Sequence, residues 1–178
     1  MRTKAAKLLS ALLLWSAPAV AQTGTAAVPR IRPLDAKAAA AIETGVRKSP
    51  TFRSLVEELE RSDVVVYVYT TPYLSERVCG GLSFVGVSAT LRFVKIALDL
   101  DLTPDQTVYI LAHELQHALE VARASHVITQ DDFDAFYGHI SIGGALPNTF
   151  ETAEARLTGQ QVRRELRAEP GTIDDPRR

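Results

Sequence analysis

Apolar residues recur along this chain in two rhythms, and the change from one to the other divides it into helices flanking a block of strands. Asp35 caps an alanine-rich stretch that reads as a helix to about Val46. Ser49-Pro50 opens a second helix, with the serine as cap and the proline in the first turn. Phe52, Leu55, Val56 and Leu59 carry its helical spacing, and it ends near Arg61. Asp63 to Thr70 is β-branched and aromatic at nearly every position, the pattern of a central strand covered on both faces. Gly80-Gly81 opens a second strand, Leu82 to Ala89. Leu91 to Leu100 forms a third, with Val94, Ile96 and Leu98 alternating against Phe93, Lys95, Ala97 and Asp99. The short connection between the last two predicts a hairpin, and the alternation leaves the third strand as a candidate edge. Thr103-Pro104-Asp105-Gln106 is a capping box that starts a helix to about Ala124. A short helix follows from Thr129 and Asp131 through Tyr137. Residues 138–149 read as a loop, and a last helix runs from Phe150 to about Ala168. The fold class this predicts is α+β, with a small antiparallel sheet of about three strands and N-terminal helices.

The ends of the chain follow other rules. Residues 1–21 place Arg2, Lys4 and Lys7 before the apolar run Leu8 to Trp15, and Ala19-Val20-Ala21 close the segment. These are the parts of a secretory signal peptide, and the run is too short to span a bilayer. Residues 22–34, with Pro29 and Pro33, read as a linker, 35–168 as one domain, and 169–178 as a flexible tail. The expected location is therefore outside the cytoplasm, periplasmic or secreted, with no membrane span in the mature chain and a monomer as the simplest state.

Composition narrows the partners. The chain has 178 residues, 46% hydrophobic and 23% charged, with a formal net charge of -1, which is globular composition for one domain. Removing 1–21 takes three of the 20 basic residues and none of the 21 acidic ones, leaving -4. No basic face is forced, so no nucleic acid partner is expected. The single cysteine, Cys79, closes no internal disulfide, and burial is its expected fate.

One segment carries chemistry. His113-Glu114-Leu115-Gln116-His117 is H-E-x-x-H within the capped helix. Residues four apart lie about 40° apart around a helix and one turn along it, so both imidazoles can reach one cation. Neutral imidazole suits Zn²⁺. Glu114 lies beside the open position, where a carboxylate can accept a proton from water that the cation activates. Val108, Leu111, Ala112, Leu115, Ala118, Leu119 and Ala122 form an apolar stripe, with His113, Gln116, His117 and Glu120 on the other side.

Catalytic zinc takes three protein ligands and leaves one position open. A third histidine six residues beyond His117 is excluded, because Glu120 and Arg123 stand where glycine and histidine would be needed. His126 and His139 are less suitable than a carboxylate on the last helix. Glu151 is favoured, at the helix start beside Phe150, with Glu154 as the alternative. Peptide hydrolysis also calls for a group that polarises the carbonyl, and Tyr137 and His139 are the candidates.

These residues resemble the gluzincin type of zinc metallopeptidase, whose pattern is H-E-x-x-H followed by a glutamate on a downstream helix. The resemblance implies a small sheet ahead of the motif helix and a zincin-like helix pair. It implies His113, His117 and Glu151 as zinc ligands and Glu114 as general base. The chain also resembles small exported bacterial proteins of unassigned function that share H-E-L-Q-H-A-x-E and F-E-T segments, here His113–Glu120 and Phe150–Thr152. It departs from the larger gluzincins in having Phe150 before the expected ligand and Ala155 four residues after it. The reading is therefore an exported zinc-dependent hydrolase acting on a peptide or protein substrate. The alternative is a non-catalytic exported domain with a structural metal or none.

Overall fold

The structure is a computed structural model that describes residues 28–74, 78–142 and 150–168. The expected signal peptide, residues 22–27 of the expected linker and the tail lie outside the described residues.

The strands are β1 (Ile31–Pro33), β2 (Val64–Thr71), β3 (Gly80–Ser88) and β4 (Leu91–Asp99). The helices are α1 (Ala36–Lys48), α2 (Pro50–Glu60), α3 (Pro104–Arg123), α4 (Gln130–Ile140) and α5 (Ala153–Arg167). The caps read from the sequence are present: Asp35, Ser49 and Thr103 accept from the backbone of Ala38, Phe52 and Gln106.

The sheet is mixed and four-stranded, in the order β1-β2-β4-β3, rather than antiparallel and three-stranded. The β3–β4 hairpin forms as its spacing predicts. β4 then returns parallel to β2, and β1 adds a second parallel pair on the far side of β2. β4 is therefore interior, and β3 is the edge that the alternation had assigned to β4. Within the predicted linker, Ile31–Pro33 pair with Val66–Val68. Proline ends this edge strand, where its missing N–H costs nothing in pairing.

One face of the sheet builds the core. Val64, Val66 and Val68 of β2 and Val94, Ile96 and Leu98 of β4 are fully buried beneath helices. On the opposite face Val65 is fully buried but Tyr67 and Tyr69 are only half-buried, so cover on that side of β2 is partial. Tyr67 stacks on Phe93.

α3 runs across the core face and is buried nearly all round. Its apolar stripe packs on the sheet, and α5 covers the side that holds the polar residues. Arg92, at the start of β4, fixes the far end of α3. Its guanidinium donates to the carbonyl oxygens of Val121, Ala122 and Ala124 at 2.7 to 3.0 Å. These are among the carbonyls that a helix leaves unpaired at its C-terminus. The same group pairs bidentately with Asp63 at 2.7 and 2.8 Å.

Hydrogen bonding to Arg92 holds the Asp63 carboxyl below the usual 3.8. A carboxylate with a lowered folded pKa stabilises the fold above its unfolded value and loses that contribution as pH falls through the folded one. Asp63 is 45% exposed, so Asp63→Asn should cost about 1 kcal/mol at pH 7, at the low end for charged hydrogen bonds. The difference should close below pH 3.8, which urea denaturation of the two proteins at pH 7 and pH 3 measures.

Candidate active site

A cavity of about 570 Å³ opens beside the middle of α3. Tyr109, His113, Glu114 and His117 form its floor, the start of β3 one wall, and α5 the other. Tyr109, His113 and His117 stand four apart and share a helical face.

The two imidazoles meet within the cavity. His113 Nε2 and His117 Nε2 are 3.1 Å apart, with the rings edge to face. Two nitrogens each about 2.05 Å from one tetrahedral zinc ion stand about 3.3 Å apart, so the pair has the spacing of shared ligands. The same spacing lets one ring donate to the other. Each ring is also held from behind. His117 Nδ1 lies 2.9 Å from Glu120 Oε2, and the backbone of Ala155 lies behind His113 and favours its charged form. Burial, together with the neighbouring His117, lowers the His113 pKa to about 4. Burial opposes charge on His117 as well, but Glu120, Glu114 and Glu151 outweigh it and raise its pKa.

Glu114 lies against the edge strand. A Cβ on Gly80 would stand 3.0 Å from Glu114 Oε1 and 2.8 Å from Ile110, so only glycine lets strand and carboxyl approach this closely. Burial raises the carboxyl to about 7, and the nearby Glu151 adds to the rise. His117 and the backbone of Leu82 partly offset it.

Glu151 also lines the cavity, just ahead of α5. The helix begins at Ala153 with Thr152 as its cap, three residues later than the sequence predicts. Glu151 Oε1 is buried without a hydrogen-bond partner among the described residues. A buried carboxylate oxygen left unpaired is costly and fits a cationic partner. Even so, among the described residues no three of His, Cys, Asp and Glu are grouped closely enough to hold a metal ion as they stand. The chemistry of the donors fits zinc, with two of the three already at ligand spacing.

Other expected site residues lie elsewhere. Glu154 turns away from the cavity and accepts from Gln116 and Arg123. His139 is exposed and does not line the cavity, and exposed His126 packs on Phe136. Tyr137 does line it, but its hydroxyl donates to the His117 carbonyl at 2.8 Å and is spent there. Its ring stacks on Phe150 at 4.7 Å, which makes it a support for the segment bearing Glu151 rather than a group facing substrate. Cys79, expected to be buried, is exposed at the cavity wall.

Sequence reasoning missed Glu120 and Thr152. Glu120 bridges His117 and Thr152, whose hydroxyl donates to Glu120 Oε1 at 2.6 Å. A carboxylate behind a ligand histidine fixes its ring and tautomer. Glu120 closes the H-E-L-Q-H-A-x-E segment and Thr152 the F-E-T segment. The signal was thus on the page, although the two residues are 32 apart in sequence.

No family model matches the chain, and no curated protein or solved structure matches it.

Gly159 sets the spacing of α3 and α5. A Cβ there would stand 3.2 Å from the Tyr109 carbonyl and 3.3 Å from His113 Cβ. Both are parts of a rigid helix and cannot turn aside. Gly159→Ala gains up to about 1 kcal/mol of helix propensity, but overpacking costs about 1–3 kcal/mol. The expected result is a lower Tm, read by thermal denaturation, with a displaced His113 imidazole resonance in the NMR spectrum.

Proposed function

We propose that this protein is an exported zinc-dependent hydrolase, most simply a peptidase, with His113, His117 and Glu151 as metal ligands. The observation that carries this reading is the 3.1 Å approach of the two Nε2 atoms in one cavity with the Glu114 carboxyl and the unpaired oxygen of Glu151. Zinc, when bound, supplies Lewis acidity that activates water near neutral pH. Glu114 acts as general base: its carboxylate takes a proton and returns it to the leaving amine. A carboxyl near pH 7 is well matched to moving a proton in both directions. His117 is kept in one tautomer by Glu120, and His113 is steadied by the Ala155 backbone. The edge of β3 beside Glu114 offers unpaired backbone groups, to which an extended peptide can add as a further strand. Export rests on the signal-like sequence of residues 1–21.

A second reading is a non-catalytic exported domain. It is favoured by the absence, among the described residues, of three ligands already grouped around a point.

Metal content separates the two. The purified protein should carry about one zinc per chain. Glu151→Gln should lose most of it, while Glu154→Gln should retain it. No zinc in the wild type, even after zinc is added, would sink the hydrolase reading. Glu114→Gln should keep the metal and lose hydrolysis by at least about a hundredfold, the lower end for general base catalysis. Unchanged hydrolysis would remove Glu114 from its role.

A further inference from the structure

Two guanidinium groups rim the cavity. Arg156 and Arg163 stand seven apart on α5, with Gly159 and Gln160 between them on the same face. Both are exposed, and neither forms a side-chain hydrogen bond or ion pair among the described residues. The nearest acidic residues in sequence are engaged elsewhere: Glu154 by Gln116 and Arg123, and Glu165 by Ser49, Thr51 and Gln161. The only described acidic residues that line the cavity are Glu114 and Glu151, which belong to the candidate centre. The positive rim is therefore local, on a chain whose formal net charge is -1.

The rim has a defined place relative to the histidines. α3 and α5 run antiparallel, and their register is fixed at several points. Thr152 meets Glu120, Thr158 meets Gln116, Gly159 meets His113, and Arg163 meets Tyr109. Arg163 thus lies one turn, about 5.4 Å, from His113 along α3, a span that one or two residues of extended chain cover. Its guanidinium is 5.3 Å from the Tyr109 ring centroid, a cation–π contact that holds a long side chain in place at the cavity. Arg156 lies on the other side of Gly159, towards Thr152. A guanidinium held in this way presents a planar fork that matches a carboxylate.

We propose that Arg156 and Arg163 select substrates bearing a carboxylate close to the bond presented to His113 and Glu114. The carboxylate is either a free peptide C-terminus or an acidic side chain. This specificity rests on the hydrolase reading above. The Gly159 contact keeps both arginines at a set height over the histidines, and the positive rim draws anionic chains to the cavity.

The test uses the Glu114→Gln protein, loaded with zinc and immobilised, so that peptides are retained rather than cut. Two randomised N-acetylated pentapeptide mixtures are passed over it, one with free C-termini and one amidated, and retained peptides are read by mass spectrometry. Retention of free-acid over amidated peptides identifies a terminal carboxylate. Enrichment of Asp and Glu over Asn and Gln within the amidated mixture identifies a side chain. In either case, adding Arg156→Gln and Arg163→Gln should reduce the enrichment about tenfold. Both positions are exposed, and an unchanged thermal melt shows that the fold is intact.

The proposal is overturned by no enrichment of carboxylates in either mixture, or by enrichment that survives the double substitution. It is also overturned if, with Glu114 restored, the two substitutions lower kcat while peptide retention is unaltered, because the arginines would then serve the reaction and not selection. Zinc content and turnover of the wild-type protein test the hydrolase reading separately. A zinc hydrolase without the carboxylate contrast fails the rim alone. A protein that shows the contrast but binds no zinc fails the hydrolase reading alone.

Discussion

The burial of polar side chains on α3 constrains the rest of this structure. Glu114, Gln116, His117 and Glu120 are each less than a tenth exposed on a helix pressed between a sheet and a second helix. Such groups are tolerated inside a protein only with partners. Those partners come from several directions: Thr152, Glu154 and Thr158 from the α5 segment, and Leu82 from β3. The position of α5 is thus fixed by polar requirements as much as by its apolar residues, of which only Ala155 and Val162 are fully buried.

The two ends of α3 are anchored by different means. A capping box at Thr103 satisfies the first turn from within the local sequence. The last turn depends on Arg92, which comes from a strand and links α3 to the sheet through Asp63. Between these anchors the motif histidines have little freedom. Tyr137 adds a third restraint by bonding the His117 carbonyl and stacking on Phe150. The Glu151 segment therefore lies between that aromatic stack and the Thr152 hydroxyl, and both lead back to the motif helix.

Most of the helices were legible in the sequence, because Asp35, Ser49, Thr103 and Thr129 act within three residues of themselves. The hairpin was legible for the same reason. The parallel pairing of β2 with β4 was not, since strand order is set by contacts between distant segments that leave no local pattern. β1 escaped notice as well: three residues ending in proline resemble a linker until Ile31 is seen buried against β2. In the site, the motif residues were legible from spacing alone. The position of Glu154 was not, because a helix that starts at Ala153 instead of Phe150 turns the carboxylate towards Gln116. Tyr137 was a candidate from its residue type and its place before the Glu151 segment, and the bond from its hydroxyl to a backbone carbonyl left no local pattern to read.

The close approach of Gly159 to His113 also bears on what could be transplanted from this fold. Five residues on a helix are easy to copy into another protein, but a copy of α3 alone would leave Glu120 without its hydroxyl partner and His113 without the backbone behind it. It would also lack the glycine that lets a second helix come so near. Any copy that keeps these contacts must carry the antiparallel pair, residues 104–123 with 150–167, whose spacing is set at one position by the lack of a side chain.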